Sequence, residues 1–500
     1  MKFLIFWGLY IPLLLIRFGF SVSESYIHPD EYLQGIQVVA GDILKIKVEY
    51  PWEFKGPFPI RSIGPLWMIY GLPVKLAQWI TGKGCSMEPL LLFFLLRIFF
   101  FGLSFIVDWF VYTSTSPKYR GNALLLYASS FVTYTYQTHT FSNSIETIMV
   151  SACLLLMRKN KMSMSSWKCV LLAIFASIGF FSRITFPIIL IPFGFLFIKS
   201  LVKRPKMTFL TIKSFIIVFF ILILVDSLYY ANGRRIVLTI LNNFNYNINY
   251  ANLQKHGIHA YWTHFLINIP VMLGPAIFLP VIIKKIKFDI YLISSIIYIT
   301  VLSLFPHQEF RFLLPVFPLL IVYLCSLGSI KGRKKKRLFM FSWIIYNILV
   351  GLFFGFFHQH DIISTMIFLK KYLVNQLSTN IIFWKTYPPP TWLFLRHSDS
   401  NIVFTHLIGY SVDHVLEYLS AAKKNNVRII FIFPISSMAK FSCVFDELKD
   451  SFCKTNITLR QIFKTSYHIN LDDLDFMNNN IFSLLLHLVR KRGLGIWDVI

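Results

Sequence analysis

Adjacent carboxylates in His28-Pro29-Asp30-Glu31 give this chain its clearest capacity for acid–base chemistry. A carboxylate held at a helix start and aimed into a cleft can accept the proton of a hydroxyl group. The same residues fit a plain solvated helix start, with Pro in the first turn and acids complementing the N-terminal dipole. Three further clusters carry polar chemistry. In Thr138-His139-Thr140-Phe141-Ser142-Asn143, with Glu146 a turn later, His139 and Asn143 are candidate donors, or Ser142 and Asn143 simply cap the next helix. In Asn252-Leu253-Gln254-Lys255-His256, with His259, Tyr261 and His264 beyond, donors abound. No carboxylate or cysteine sits there at ligand spacing, so no metal is expected. In His307-Gln308-Glu309-Phe310-Arg311, the planar fork of Arg311 and the ring of His307 suit a phosphate, while Glu309 and Arg311 equally suit a pair anchoring a helix end. Walker A, G-x-G-x-x-G, H-E-x-x-H and C-x-x-C patterns are absent, which argues against a nucleotide motor, a dinucleotide-binding enzyme and a zincin.

The elements that must position these clusters are membrane helices. Of 500 residues, 56% are hydrophobic and 14% charged, which excludes an ordinary soluble fold. Spans of about 20 apolar residues are needed to cross the hydrocarbon. Candidates lie near 3–20, 89–113, 122–136, 143–157, 169–184, 186–200, 208–230, 262–283, 289–305, 311–330 and 338–357, about eleven transmembrane helices. The first reads as a signal anchor, because no small-residue cleavage site follows Phe20.

Lys and Arg outnumber Asp and Glu by 49 to 23, and the excess gathers between spans around Arg158, Lys203, Lys284 and Lys331–Arg337. Basic loops stay cytosolic. If every span crosses once, these runs share one face with Lys2, and the four polar clusters share the other. Membrane topology therefore explains the charge better than nucleic-acid binding does. Within the first far-side loop, 21–88, the apolar stretch Ile60–Ile80 reads as helices lying in the interface. The tail reads as a small α/β domain: Val412, Val415, Leu416 and Leu419 keep helical spacing, and Arg428–Phe433 is of strand length. The sequon at Asn456 and the pair Cys443 and Cys453 suit an oxidising lumen. Two domains follow, 1–357 in the membrane and 358–500 beyond it.

Tyr26-Ile27-His28-Pro29-Asp30-Glu31-Tyr32-Leu33-Gln34, Val39-Ala40-Gly41-Asp42-Ile43-Leu44, Pro51-Trp52-Glu53-Phe54 and Ile60-Arg61-Ser62 resemble the dolichyl-phosphate-mannose-dependent mannosyltransferases of glycosyltransferase family 22. Matches continue through Arg183-Ile184-Thr185-Phe186-Pro187, Asp226-Ser227-Leu228-Tyr229-Tyr230, the His307–Pro315 segment and Pro388-Pro389-Pro390-Thr391-Trp392, so the resemblance covers about 1–395. It implies an all-α, multi-span GT-C catalytic domain in the endoplasmic reticulum membrane, with a cytosolic N-terminus and a lumenal active site and C-terminus. The implied reaction is transfer of mannose, with inversion, from dolichyl phosphate mannose to a glycolipid acceptor, and no cofactor. Within the family, the motif forms favour the branch that adds an α1,2-linked fourth mannose to the third mannose of the GPI precursor. The alternatives are the third GPI mannose or an N-glycan mannose. Asp30 would be the base, with Glu31 positioning the acceptor or Asp30 itself. His256, His307 and Arg311 would hold the donor phosphate, and His28, Trp52, Glu53, Arg61, His139, Asn143 and Glu309 complete the substrate-binding set. A non-catalytic lipid or sugar transporter would instead show charges or broken helices near midplane; neither is plain in the sequence.

Overall fold

The computed structural model describes residues 2–82, 87–158, 165–373, 378–394, 402–424, 427–444, 457–470 and 490–500. They form two compact units. The first comprises Met1–Val22, Tyr50–Gly82 and Phe93–Gly351, and the second Ser23–Glu49, Lys83–Leu92 and Leu352–Ile500. The loop expected at 21–88 is thus split, its first half folding with the tail.

Each of the eleven expected spans falls on helix. Among the described residues, Pro89–Ser114, Pro205–Ala231, His264–Ile283 and Arg333–Phe357 are long and apolar enough to cross a membrane unaided, and five other apolar helices have 10–17 residues. At 1.5 Å per residue the shorter ones reach roughly 15–26 Å, less than the hydrocarbon thickness. The expected span 122–136 is not one helix. It ends at Ala128, and a new turn, Phe131–Tyr134, starts from Ser130, whose side chain accepts the Val132 N–H. The Phe131–Thr138 segment then meets Ser142–Met157 at 108°. A broken helix, not evident from the sequence, therefore lies inside this unit. Its freed backbone is satisfied by neighbours, as membrane burial requires: Asn347 Oδ1 accepts the Phe131 N–H at 2.8 Å, and Thr140 O accepts the Tyr70 hydroxyl at 2.7 Å.

Several charges inside the first unit are paired, as the cost of an isolated charge in a low-dielectric interior favours. Arg17 is fully buried and forks onto Asp108 at 2.8 and 3.0 Å, with Tyr10 donating to the same carboxylate at 2.5 Å. This cluster ties the first helix to Pro89–Ser114. Residues 63–81 form one continuous helical run whose face Met68, Leu72, Leu76, Trp79 and Ile80 is exposed, as an interfacial helix requires. Its start is held from the helix Pro205–Ala231 by Asp226, which accepts the Ser62 hydroxyl at 3.0 Å and the Ile63 N–H at 2.9 Å. The Thr239 hydroxyl donates to the other oxygen at 2.7 Å.

The second unit carries a five-stranded sheet, order β2-β1-β3-β5-β4, from β1 (Thr379–Phe383), β2 (Ile402–His406), β3 (Arg428–Pro434), β4 (Leu459–Lys464) and β5 (Leu494–Val499). The first three are parallel and β5 runs antiparallel to both neighbours. The expected helix is Val412–Lys423; it lays Val415 and Leu419 against Ile429, Phe431 and Phe433, and the expected strand is the sheet's central β3. Asn456 and Cys453 lie outside the described residues. Ser23–Glu49 joins this unit through the Tyr26 hydroxyl on Pro388 O at 2.8 Å and the Ser23 hydroxyl on Gly355 O at 3.0 Å.

Replacing Asp226 by Ala removes three hydrogen bonds and leaves buried donors without an acceptor, at about 1–3 kcal/mol for each stranded group. Thermal unfolding in detergent should show a clear loss of melting temperature for Asp226→Ala. Asp226→Asn, which keeps an acceptor for the Ile63 N–H, should lose less. Equal melting of all three proteins would contradict this anchoring.

Candidate active site

The expected site residues fall into two groups, one in each unit. In the second unit, Pro29 O accepts the N–H groups of Tyr32 and Leu33 at 3.1 and 3.0 Å, which starts the helix running on to Leu44. Asp30 stands in its first turn. The Asp30 N–H donates to His28 Nδ1 at 3.2 Å, and Gln34 Nε2 donates to Asp30 Oδ2 at 2.6 Å. The first hydrogen bond steadies the backbone of the turn, and the second fixes the direction of the carboxylate. The two acids differ in access: the Asp30 side chain keeps 23% of its surface exposed, whereas Glu31 is fully buried. Asp30 thus starts a helix while part of its carboxylate stays accessible, and Glu31 is enclosed within the turn.

Aromatic rings back this turn. Tyr387 lies 6.1 Å from the His28 ring and 5.5 Å from Tyr26, with its hydroxyl 3.3 Å from His358 Nε2. Burial, reinforced by the nearby His468 and His28, pushes His358 down to about 3, so this ring is neutral near pH 7. Burial alone would raise the Asp361 carboxyl. Hydrogen bonds from His360, Thr465 and the backbone N–H groups of Tyr467 and His468 outweigh it and bring Asp361 to about 2.

In the first unit, three glutamate–arginine pairs stand together. Arg61 Nε and Nη2 both lie 3.0 Å from Glu53 Oε1. Arg183 Nε lies 3.1 Å from Glu146 Oε2, while the Thr185 and Tyr298 hydroxyls donate to Glu146 Oε1 at 2.9 and 3.0 Å. Glu309 takes His307 Nε2 at 2.8 Å on one oxygen and Arg311 Nε on the other. The guanidinium carbons of Arg183 and Arg311 lie 5.0 and 5.2 Å from the centroid of the same Phe312 ring. Two guanidiniums thus stand against one aromatic ring, each on its own carboxylate. His307 also contacts Gly257 O at 3.2 Å. Burial lowers its pKa, but the hydrogen bond and charge of Glu309 outweigh burial and hold it above the ordinary value.

From His307 the rings continue outward: His256 lies 5.7 Å away, and its Nε2 is 2.9 Å from the Tyr246 hydroxyl. Trp52 stacks beyond them. His139 and Asn143 are fully buried at the helix break. His139 lies parallel to Phe141, and the path Phe141–Tyr136–Phe310 leads to the residue before Arg311. The Asn143 amide has no hydrogen-bond partner among the described residues. Among those residues no three His, Cys, Asp or Glu side chains converge as metal ligands.

Residues 8–396 match the Alg9-like mannosyltransferase family. The chain belongs to that family. GPI mannosyltransferase 4 of Aspergillus oryzae is 34% identical over 98% of this chain and 98% of its own length. The Schizosaccharomyces pombe protein of that name is 34% identical over 98% and 94%, and the Saccharomyces cerevisiae one 32% over 99% and 98%. In fold, the chain resembles ArnT from Cupriavidus metallidurans, solved bound to undecaprenyl phosphate, with a TM-score of 0.51 at 10% identity over 87% of this chain and 94% of that one. It is a GT-C membrane glycosyltransferase with a small C-terminal sheet.

This mannosyltransferase holds three polar groups, Gln34, Glu146 and Arg183, that stand in quoted motifs but outside the expected site set. Arg183, between two apolar helices, carried the signal of an ionisable residue within the membrane unit, which is functional by default. Tyr246, Tyr298, Tyr387 and His358 carried none, since an isolated Tyr or His in an aromatic-rich chain is unremarkable by type.

Because the folded pKa of His307 is raised, its charged pair with Glu309 stabilises fully below the ordinary histidine value near 6.5 and is lost as pH rises through the raised value. The melting gap between wild type and Glu309→Gln should therefore be larger near pH 6 than near pH 9, where only the lost pair with Arg311 still counts. A gap that is constant or grows with pH would contradict the pairing.

Proposed function

We propose that this chain is an inverting α1,2-mannosyltransferase that moves mannose from dolichyl phosphate mannose onto the third mannose of the GPI-anchor precursor, at the lumenal face of the endoplasmic reticulum membrane. The observation that carries the reading is the near-full-length likeness to proteins named GPI mannosyltransferase 4. The exposed, oriented carboxylate of Asp30 supports it from the chemistry.

The acceptor hydroxyl oxygen attacks the anomeric carbon of the donor mannose while Asp30 takes its proton. The bond from that carbon to the phosphate oxygen breaks, and the electron pair leaves on the phosphate. Arg311, Arg183 and His307 stabilise that departing charge, a contribution that is strongest where donors are held in place beforehand. Glu31, His28 and Gln34 set the base. Glu53, Arg61, His139 and Asn143 serve the substrates, with Asn143 offering an amide that has no hydrogen-bond partner among the described residues. The basic runs between helices support a cytosolic N-terminus, and a single crossing by each of eleven spans puts region 358–500 in the lumen. The partners are the two lipid-linked substrates and the surrounding membrane lipids.

Cells lacking the fourth-mannose activity should regain four-mannose GPI precursors, read by mass spectrometry, when they express the wild-type chain. They should keep only three-mannose precursors with Asp30→Asn. In purified protein, Asp30→Asn should lower kcat by about 100-fold or more with unchanged melting, the scale of a lost general base. Wild type that restores no four-mannose precursor sinks the substrate assignment; Asp30→Asn within about tenfold of wild type moves the base elsewhere.

A further inference from the structure

We propose that Trp52, Tyr246 and His256 form a stacking shelf for a mannosyl ring of the acceptor glycan; this rests on the proposed function and names the part of the acceptor it grips. Trp52 lies 4.6 Å from the Tyr246 ring at 35° and 5.7 Å from the His256 ring at 27°. The Tyr246 hydroxyl and His256 Nε2, 2.9 Å apart, lock the supporting rings together. The indole itself remains 47% exposed. A large aromatic surface braced from behind and open in front matches the C–H face of a pyranose, whose weakly positive hydrogens meet the negative face of the ring. The hydroxyl rim of a sugar needs charged or polar edges beside that face. They are present: the next residue, Glu53, carries the Arg61 pair, and His256 borders the shelf.

Exposed Trp and Tyr side chains also mark membrane interfaces, but the helix Thr239–Ile248 separates the two roles. Leu241, Phe244 and Ile248, at i, i+3 and i+7, form its exposed apolar side. Asn242 and Asn243 lie on the other side and donate to Pro59 O and Ile60 O at 3.0 and 3.1 Å, and Tyr246 joins them there to meet Trp52. The shelf therefore faces away from the apolar side of its own helix. It also differs from the proposed phosphate site: the cations Arg183 and Arg311 flank Phe312, and His256 stands between them and the indole, next to His307. A mannose stacked on Trp52 belongs to the glycan arm, beyond the phosphate.

The test uses purified full-length protein in detergent and the soluble disaccharide α1,2-mannobiose as probe. Saturation-transfer NMR should carry magnetisation from aromatic protons to the ring C–H protons of the sugar in wild type. The signal should largely survive in Trp52→Phe and fall about fivefold or more in Trp52→Ala, the loss of one aromatic anchor. Tyr246→Leu, which removes the brace, should weaken it too, and serves if Trp52→Ala does not fold. With complete substrates, Trp52→Ala should raise the acceptor KM about tenfold and leave the donor KM unchanged. Unchanged saturation transfer in both Trp52→Ala and Tyr246→Leu, or a rise confined to the donor KM, overturns the shelf. Because the NMR arm needs no turnover, intact sugar binding without transfer to a GPI precursor would count against the proposed reaction and leave the shelf standing.

Discussion

Arg17, Arg183 and Arg311 of the first unit each stand beside an acid. Breaking a buried pair strands the remaining charge and costs about 3–5 kcal/mol, so every functional arginine there has to be accompanied by an acid. Arg17 with Asp108 meets this demand far from any proposed chemistry and ties helices together. Glu53 with Arg61, Glu146 with Arg183 and Glu309 with Arg311 meet it where chemistry is proposed. Glutamates keep the guanidiniums soluble in the fold and aim them, while leaving planar donors able to bind a phosphate. The helix break at 131–142 follows from the same demand, since Glu146 begins the second turn of the helix Ser142–Met157 and needs Arg183, Thr185 and Tyr298 around it.

Different rules govern the second unit. Asp30 is held by neighbours in its own turn, His28 and Gln34, and that turn packs with residues far along the chain: Tyr26 on Pro388, and His28 beside Tyr387. The Pro388–Pro390 run supplies the carbonyl that fixes Tyr26. The segment that bears Asp30 folds with the tail, so the geometry of the proposed base depends on residues 352–373 and 378–394.

Much of this could be read in the chain. Hydropathy found every helical segment later seen as apolar helix, the period-3.6 pattern at Val412–Leu419 found the tail helix, and the β-branched run at Arg428 found the central strand. Within the site, the juxtaposition of His307, Glu309 and Arg311 follows from i, i+2 and i+4 spacing, which puts alternate side chains on one side of the extended stretch leading into Phe310–Leu313. Other features were hidden for physical reasons. The break at Ser129 and Ser130 interrupts a stretch whose composition is that of an ordinary span; its backbone is repaired by Asn347, more than two hundred residues away, and long-range pairing leaves no local mark. The brace of Trp52 by Tyr246 is invisible for the same reason. The short helices were read as full spans because the apolar run continues past the last helical residue into loop, as at Leu304 and Phe305.

Inverting transfer of mannose onto the 2-hydroxyl of the third mannose is the central claim, and the anomeric configuration and linkage of the product test it most directly. Purified enzyme would be given dolichyl phosphate mannose labelled at the anomeric carbon and a synthetic trimannosyl GPI acceptor, and the product examined by NMR. Inversion to an α product requires a β-linked donor, so the account predicts a single new α linkage to the 2-hydroxyl of the third mannose. Retention of the β configuration, or attachment to a different hydroxyl or sugar, would contradict it.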